Sequence, residues 1–83
     1  SVPLDQDRLV QCHLAAEAGI DGFAVDLLGS WPGERWQHVL APFFRAAATL
    51  NERGRPFFVA PCLDNHAALG PARTAARLVR LLD

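Results

Sequence analysis

The sequence predicts an α/β fold, and three observations predict it. The stretch Ala15-Ala16-Glu17-Ala18-Gly19-Ile20-Asp21-Gly22-Phe23-Ala24-Val25-Asp26 reads as a helix end, a glycine turn and a short buried strand finishing in a carboxylate. The pattern returns at Arg53-Gly54-Arg55, followed by Pro56-Phe57-Phe58-Val59-Ala60-Pro61-Cys62-Leu63-Asp64. A helical pattern lies between the two strands, which implies parallel strands joined by a right-handed crossover. An aspartate at the C-terminal tip of each of two successive strands is how a (β/α)8 barrel builds its active-site rim. The expectation is a partial (β/α)8 barrel, with about two parallel strands and three helices, belonging to an enzyme.

The first helix is expected from near Asp5 to Ala18, after a Pro-Leu-Asp linker. Leu9, Cys12, His13 and Ala16 recur at three- and four-residue spacing, and Val10 and Leu14 widen the stripe. Asp5 and Asp7 fall in its opening turn, where the helix dipole favours negative charge. Gly19 ends it. His13 lies on or beside the apolar face and reads as a satisfied core histidine.

The second helix begins after Ser30-Trp31-Pro32-Gly33 and packs through Trp36, Val39, Leu40, Phe43, Ala47 and Leu50. Pro42 lacks an N–H and crowds the preceding turn, so a kink or split is expected near Leu40–Ala41. Gly54 supplies a left-handed C-terminal cap. A third helix opens at Gly70-Pro71 and packs through Ala75, Leu78, Val79 and Leu82, with Arg73, Arg77 and Arg80 on its solvated face.

The strands are almost continuously hydrophobic, as in a sheet buried on both sides. Alternation places Phe23, Val25 and Leu27 on one face of the first strand and Ala24 and Asp26 on the other. In the second, without a bulge, Phe57, Val59 and Pro61 oppose Phe58, Ala60, Cys62 and Asp64. Each acid thus shares its face with small residues, which in a barrel would look into the central cavity. An open doubly wound sheet gives the same local pattern.

A complete barrel needs roughly 250 residues, and the sequence has 83. Two parallel strands leave both sheet edges open and are marginal alone. The expectation is one fragment, residues 1–83, of a single (β/α)8 barrel domain, the alternative being a complete small α/β domain. Half the residues are hydrophobic and the formal net charge is −1, so nothing points to nucleic acid or to an anionic membrane. Lysine is absent and arginine supplies all eight positive charges, a composition that fits coding bias better than phosphate binding. No apolar run approaches the ~20 residues of a membrane span. Cys12 and Cys62 lack metal-binding spacing and read as two buried thiols.

Asp26 and Asp64 stand where substrate-contacting groups are expected. A carboxylate there can bind sugar hydroxyls, hold a cation or serve as an acid or base. The structural alternatives are backbone N–H groups satisfied by Asp26 and an Asx-turn from Asp64 into Asn65 and His66. Asp64-Asn65-His66 is the densest polar cluster and suits hydroxyl recognition, whereas Asp64 and His66 are too few for a closed metal site. Trp31, on the loop after Asp26, either stacks on a pyranose ring or packs as a helix-start staple. Trp36 reads as core. Glu17, Glu34 and Glu52 read as solvated, and neither a phosphate loop, a nucleophile elbow nor a zinc motif occurs.

The passage from Asp7-Arg8-Leu9 through Ala15 to Asp26 resembles the early barrel of family 71 glycoside hydrolases, the endo-1,3-α-glucanases or mutanases. Barrels of the family 99 type share a similar alanine-glycine-isoleucine-aspartate-glycine-phenylalanine passage, and Phe57–Asp64 is similar to the next family strand. The resemblance covers roughly Asp5 to Asn65. It implies a hydrolase of α-glucan polysaccharide, with no cofactor, whose catalytic acid pair lies beyond Asp83. Asp26, Asp64, Asn65, His66 and Trp31 would then be substrate-binding residues of the first part of the cleft. The resemblance is compatible with secretion. Two other readings remain open: another barrel hydrolase or lyase with a metal near Asp26 and Asp64, or a non-catalytic carbohydrate-binding barrel.

Overall fold

A computed structural model describes residues 2–64 and Ala76. The elements are α1 (Val2–Glu17), β1 (Gly22–Leu28), α2 (Gly33–Glu52) and β2 (Phe58–Asp64). The two strands pair in parallel with an even register from Gly22 opposite Phe58 to Leu28 opposite Asp64. Among the described residues the fold is therefore a small α/β unit of two helices and two parallel strands. No bulge interrupts the ladder, so Pro61 sits in register with Val25 and strand alternation survives it. The third helix expected from Gly70 lies outside the described residues apart from Ala76, which is helical.

Both helix-to-strand turns have the same construction. At the end of α1 the Ile20 N–H donates to the Ala15 carbonyl at 2.9 Å and the Gly19 N–H to the Ala16 carbonyl at 3.1 Å. At the end of α2 the Arg55 N–H donates to the Leu50 carbonyl at 2.9 Å and the Gly54 N–H to the Asn51 carbonyl at 3.0 Å. These paired bonds define the Schellman motif, which needs a left-handed residue at its turn. Gly19 and Gly54 supply it, with φ of 87° and 79°.

Asn51 adds a second device at the α2–β2 turn. Its Oδ1 accepts the Phe57 N–H at 2.8 Å and its Nδ2 donates to the Phe57 carbonyl at 3.3 Å. The side-chain amide takes the place that a neighbouring strand would fill, and it fixes the chain entering β2.

The core lies between the helices and one face of the sheet. Near the helix C-termini, Cys12 and Ala15 of α1 meet Ala46, Ala47 and Leu50 of α2 and Phe57. Alanines on both sides of this seam let the two helices approach closely. Phe23 stands edge-on to Phe43 and Phe57, with ring centroids 6.1 and 5.3 Å away. At the other end, Leu27, Trp36 and Leu40 form a second cluster. Burial pushes the Cys12 thiol pKa up, partly opposed by the charge of Arg8.

Several sequence expectations are corrected. Helix α1 begins at Val2, because Pro3 is tolerated in a first turn whose N–H groups have no helical partner. The linker is thus helical, and Asp7 lies beyond the opening turn. The inward stripe is Leu9, Cys12, Ala15 and Ala16, while Val10 and Leu14 are exposed at 55% and 62%. On a helical wheel these two lie opposite the alanine seam. His13 is exposed too, 3.8 Å from Glu17, which also pairs with Arg55. Cys62 is exposed, whereas Cys12 is buried as expected. Helix α2 runs unbroken through Pro42, which is buried. Packing along the whole length of α2 holds the turn together despite the missing N–H.

Candidate functional site

Helices cover one face of the sheet. Phe23, Val25, Leu27, Phe57, Val59 and Leu63 all belong to or pack against the core clusters. On the other face Ala24, Asp26, Phe58, Ala60 and Cys62 are exposed. This division follows the alternation read from the sequence and places Asp26 away from the helix layer. Phe58 departs from the pattern of small residues, and Gly22 explains how it fits. A Cβ on Gly22 would stand 2.4 Å from the Phe58 carbonyl oxygen and 2.6 Å from its ring. The missing side chain of Gly22 makes room for Phe58 to lie across the start of β1.

Asp26 lies opposite Cys62 in the ladder, and Asp64 is opposite Leu28. The two acids are therefore staggered by two residues, roughly 7 Å along the strand direction. Asp64 closes β2 in the backbone, and its side chain lies outside the described residues, as do Asn65 and His66.

The loop after Asp26 is held from two sides. The Leu28 carbonyl accepts the Trp31 N–H at 3.1 Å and the Trp36 indole N–H at 2.9 Å. Trp36 is fully buried, as expected of a core residue, and its polar edge serves to anchor the strand end. Trp31 is half-buried against the Leu27–Trp36–Leu40 cluster, and the Arg35 guanidinium lies 4.5 Å over its ring. These contacts are those of a helix-start packing residue, with part of the ring still accessible to solvent. Glu34 and Glu52 are exposed as read, but Glu17 is tied to Arg55 across the α1–β1 and α2–β2 turns.

Side chains that sequence reasoning did not single out converge on the helix side. A groove of about 490 Å3 opens between the start of α1 and the start of α2, over Leu4, Pro32 and Val39, with Arg8, Glu34, Arg35 and His38 around it. A smaller hollow of about 200 Å3 continues it toward Pro42 and Arg45, sharing Leu4 and His38. Arg45 bonds Asp5 at 2.7 Å, and this guanidinium holds the Asp5 carboxyl below the usual carboxylate range. The signal for this groove was present only as scattered arginines, because two helices must pack before Arg8 of α1 and Arg35 of α2 line one hollow.

Among the described residues no group of three or more His, Cys, Asp or Glu side chains is placed to hold a metal ion, and no helix is long and apolar enough to cross a membrane. No family model matches the chain, and neither a curated protein nor a solved structure matches it significantly.

Proposed function

We propose that the chain is part of a (β/α)8-barrel glycoside hydrolase acting on α-glucan polysaccharide, of the endo-1,3-α-glucanase type. The observation that carries the reading is Asp26, exposed near the C-terminal end of β1 on the face that the helices leave uncovered. In a barrel that face becomes the interior and that end becomes the active-site rim. Asp26 accepts hydrogen bonds from sugar hydroxyls there, and Asp64 does so two residues further along the neighbouring strand. Asn65 and His66, which follow Asp64 in the sequence, are proposed as further hydroxyl-binding residues. Trp31 flanks it from the loop after β1. The acid pair that cleaves the glycosidic bond belongs to later strands, so this segment positions substrate and performs no proton transfer itself.

The test is turnover of α-1,3-glucan by the full-length protein. Asp64→Asn and Asp26→Asn each lower kcat/KM at least tenfold, a loss of ~1.4 kcal/mol of transition-state stabilisation. Unchanged kinetics in a folded variant remove that aspartate from the site, and absence of hydrolysis in the wild type removes the reading.

A further inference from the structure

The larger helix-side hollow, taken alone, has the size and lining of a small-molecule site. Its volume is about 490 Å3, within the range of roughly 300–1,000 Å3 typical of ligand pockets. Leu4 of α1, Pro32 and Val39 of α2 form the apolar part of its wall. Both helices start here, so the hollow lies at the end of the molecule where β1 and β2 finish. It sits on the helix side, away from the sheet face that carries Asp26.

The charge of the wall is unbalanced. Arg8 comes from α1 and Arg35 from α2, and Glu34 is the carboxylate that lines the hollow with them. Two positive charges against one negative leave a single positive charge while His38 is neutral. Asp7 stands 2.7 Å from Arg8, but its side chain is 58% exposed and lies outside the wall. An exposed pair of this kind contributes little, and water screens it. One uncompensated charge matches a monoanion, and a phosphate dianion carries one charge too many. A carboxylate also fits the donor fork of a guanidinium, through two parallel hydrogen bonds.

Aromatic rings position both guanidiniums before any ligand arrives. Arg8 lies 5.1 Å over the Phe43 ring and Arg35 lies 4.5 Å over Trp31. A guanidinium has five N–H donors. Arg8 gives one to Asp7, and among the described residues Arg35 gives none to an acid or a carbonyl. Donors therefore remain on both, and side chains already ordered lose less entropy on binding.

We infer that this hollow binds a small monocarboxylate with an apolar body. The carboxylate accepts hydrogen bonds from Arg8 and Arg35, and the body rests on Leu4, Pro32 and Val39. The inference is independent of the glycoside hydrolase reading. It bears on the loop after β1 all the same, because the Arg35 that grips the carboxylate also lies on Trp31.

The experiment titrates the full-length protein with benzoate and with hexanoate at constant ionic strength, and reads binding by saturation-transfer NMR on the ligand. At least one of the two is expected to bind saturably. It should bind at least tenfold tighter than its uncharged amide, and at least tenfold tighter than acetate, which has the charge without the body. Arg35→Gln and Arg8→Gln each weaken that binding at least tenfold, whereas Arg53→Gln, at the far end of α2, leaves it unchanged. Arg35 is exposed, so Arg35→Gln keeps the melting temperature of the wild type and tests the site even where Arg8→Gln does not fold. Absence of saturable binding of both acids overturns the inference, and so does undiminished binding by folded Arg35→Gln. An amide that binds as tightly as its acid makes the hollow a merely apolar one, and acetate or inorganic phosphate binding as tightly makes it a general anion site. Either result overturns the monocarboxylate.

Discussion

Replacing Asn51 with alanine tests how the chain enters β2. The side chain makes two hydrogen bonds to Phe57, at 2.8 Å from its N–H and 3.3 Å to its carbonyl. Each such bond contributes about 0.5–1.5 kcal/mol net, and a buried N–H left unpaired adds to the loss. Phe57 is only 4% exposed, so water reaches the abandoned groups poorly. Alanine recovers roughly 0.5 kcal/mol through its better helix propensity. The balance is a loss of about 1.5 kcal/mol. Urea unfolding of a small protein has a slope near ~1 kcal/mol/M, so the midpoint falls by about 1.5 M at unchanged slope. Glu52→Ala, one residue along and exposed, shifts stability by less than about 0.5 kcal/mol. An Asn51→Ala midpoint indistinguishable from the wild type would refute the clamp.

Gly22→Ala forces a methyl against the Phe58 carbonyl oxygen and ring, and overpacking of this kind costs about 1–3 kcal/mol. Phe58→Ala in the same molecule relieves the ring contact but leaves the carbonyl contact, so thermal unfolding should show partial rescue; full rescue would assign the clash to the ring alone. The Asp5 carboxyl is held low by Arg45, so its contribution is complete above the unfolded value of about 3.9 and is lost as pH falls through the lower folded value. Asp5→Asn therefore loses less stability than the wild type between pH 5 and pH 3, and superimposable acid profiles would exclude the linkage. Trp36→Phe removes the indole N–H from the Leu28 carbonyl together with some core volume. It lowers stability by about 1–3 kcal/mol, and a change below 0.5 kcal/mol would show that the strand end needs no such anchor.

The alternation of helix and strand was legible because glycine marks both turns and because each strand is almost continuously hydrophobic. Strand parity was equally legible: a period of two leaves no freedom once the register is even, and Asp26 emerged on the uncovered face as read. Helix α1 was harder. Its apolar residues lie all around the axis, and only contact with α2 selects Leu9, Cys12 and Ala15 over Val10 and Leu14. Alanine carries little weight in a hydrophobic stripe, yet alanines form the seam here. His13 was misplaced for the same reason. Cys62 illustrates a different limit, since parity put it on the face of Asp64 while residue type argued for burial, and parity was the better guide. The Asn51 contact and the helix-side groove depend on meetings between residues distant along the chain or across a turn, for which no local spacing gives a signal. Asn65 and His66 remain known from the sequence alone.

The matching pair of left-handed glycine locks has a bearing on how such a molecule changes over time. Each lock sets the phase of the strand that follows it, because one residue gained or lost there would swap inner for outer along the entire ladder. Asp26 would then be driven into the aromatic layer under α2. The connection on the opposite end, from Leu28 to Gly33, sets no such phase for a helix. New lengths and new chemistry can accumulate there at small structural cost, while the glycine end must stay as it is.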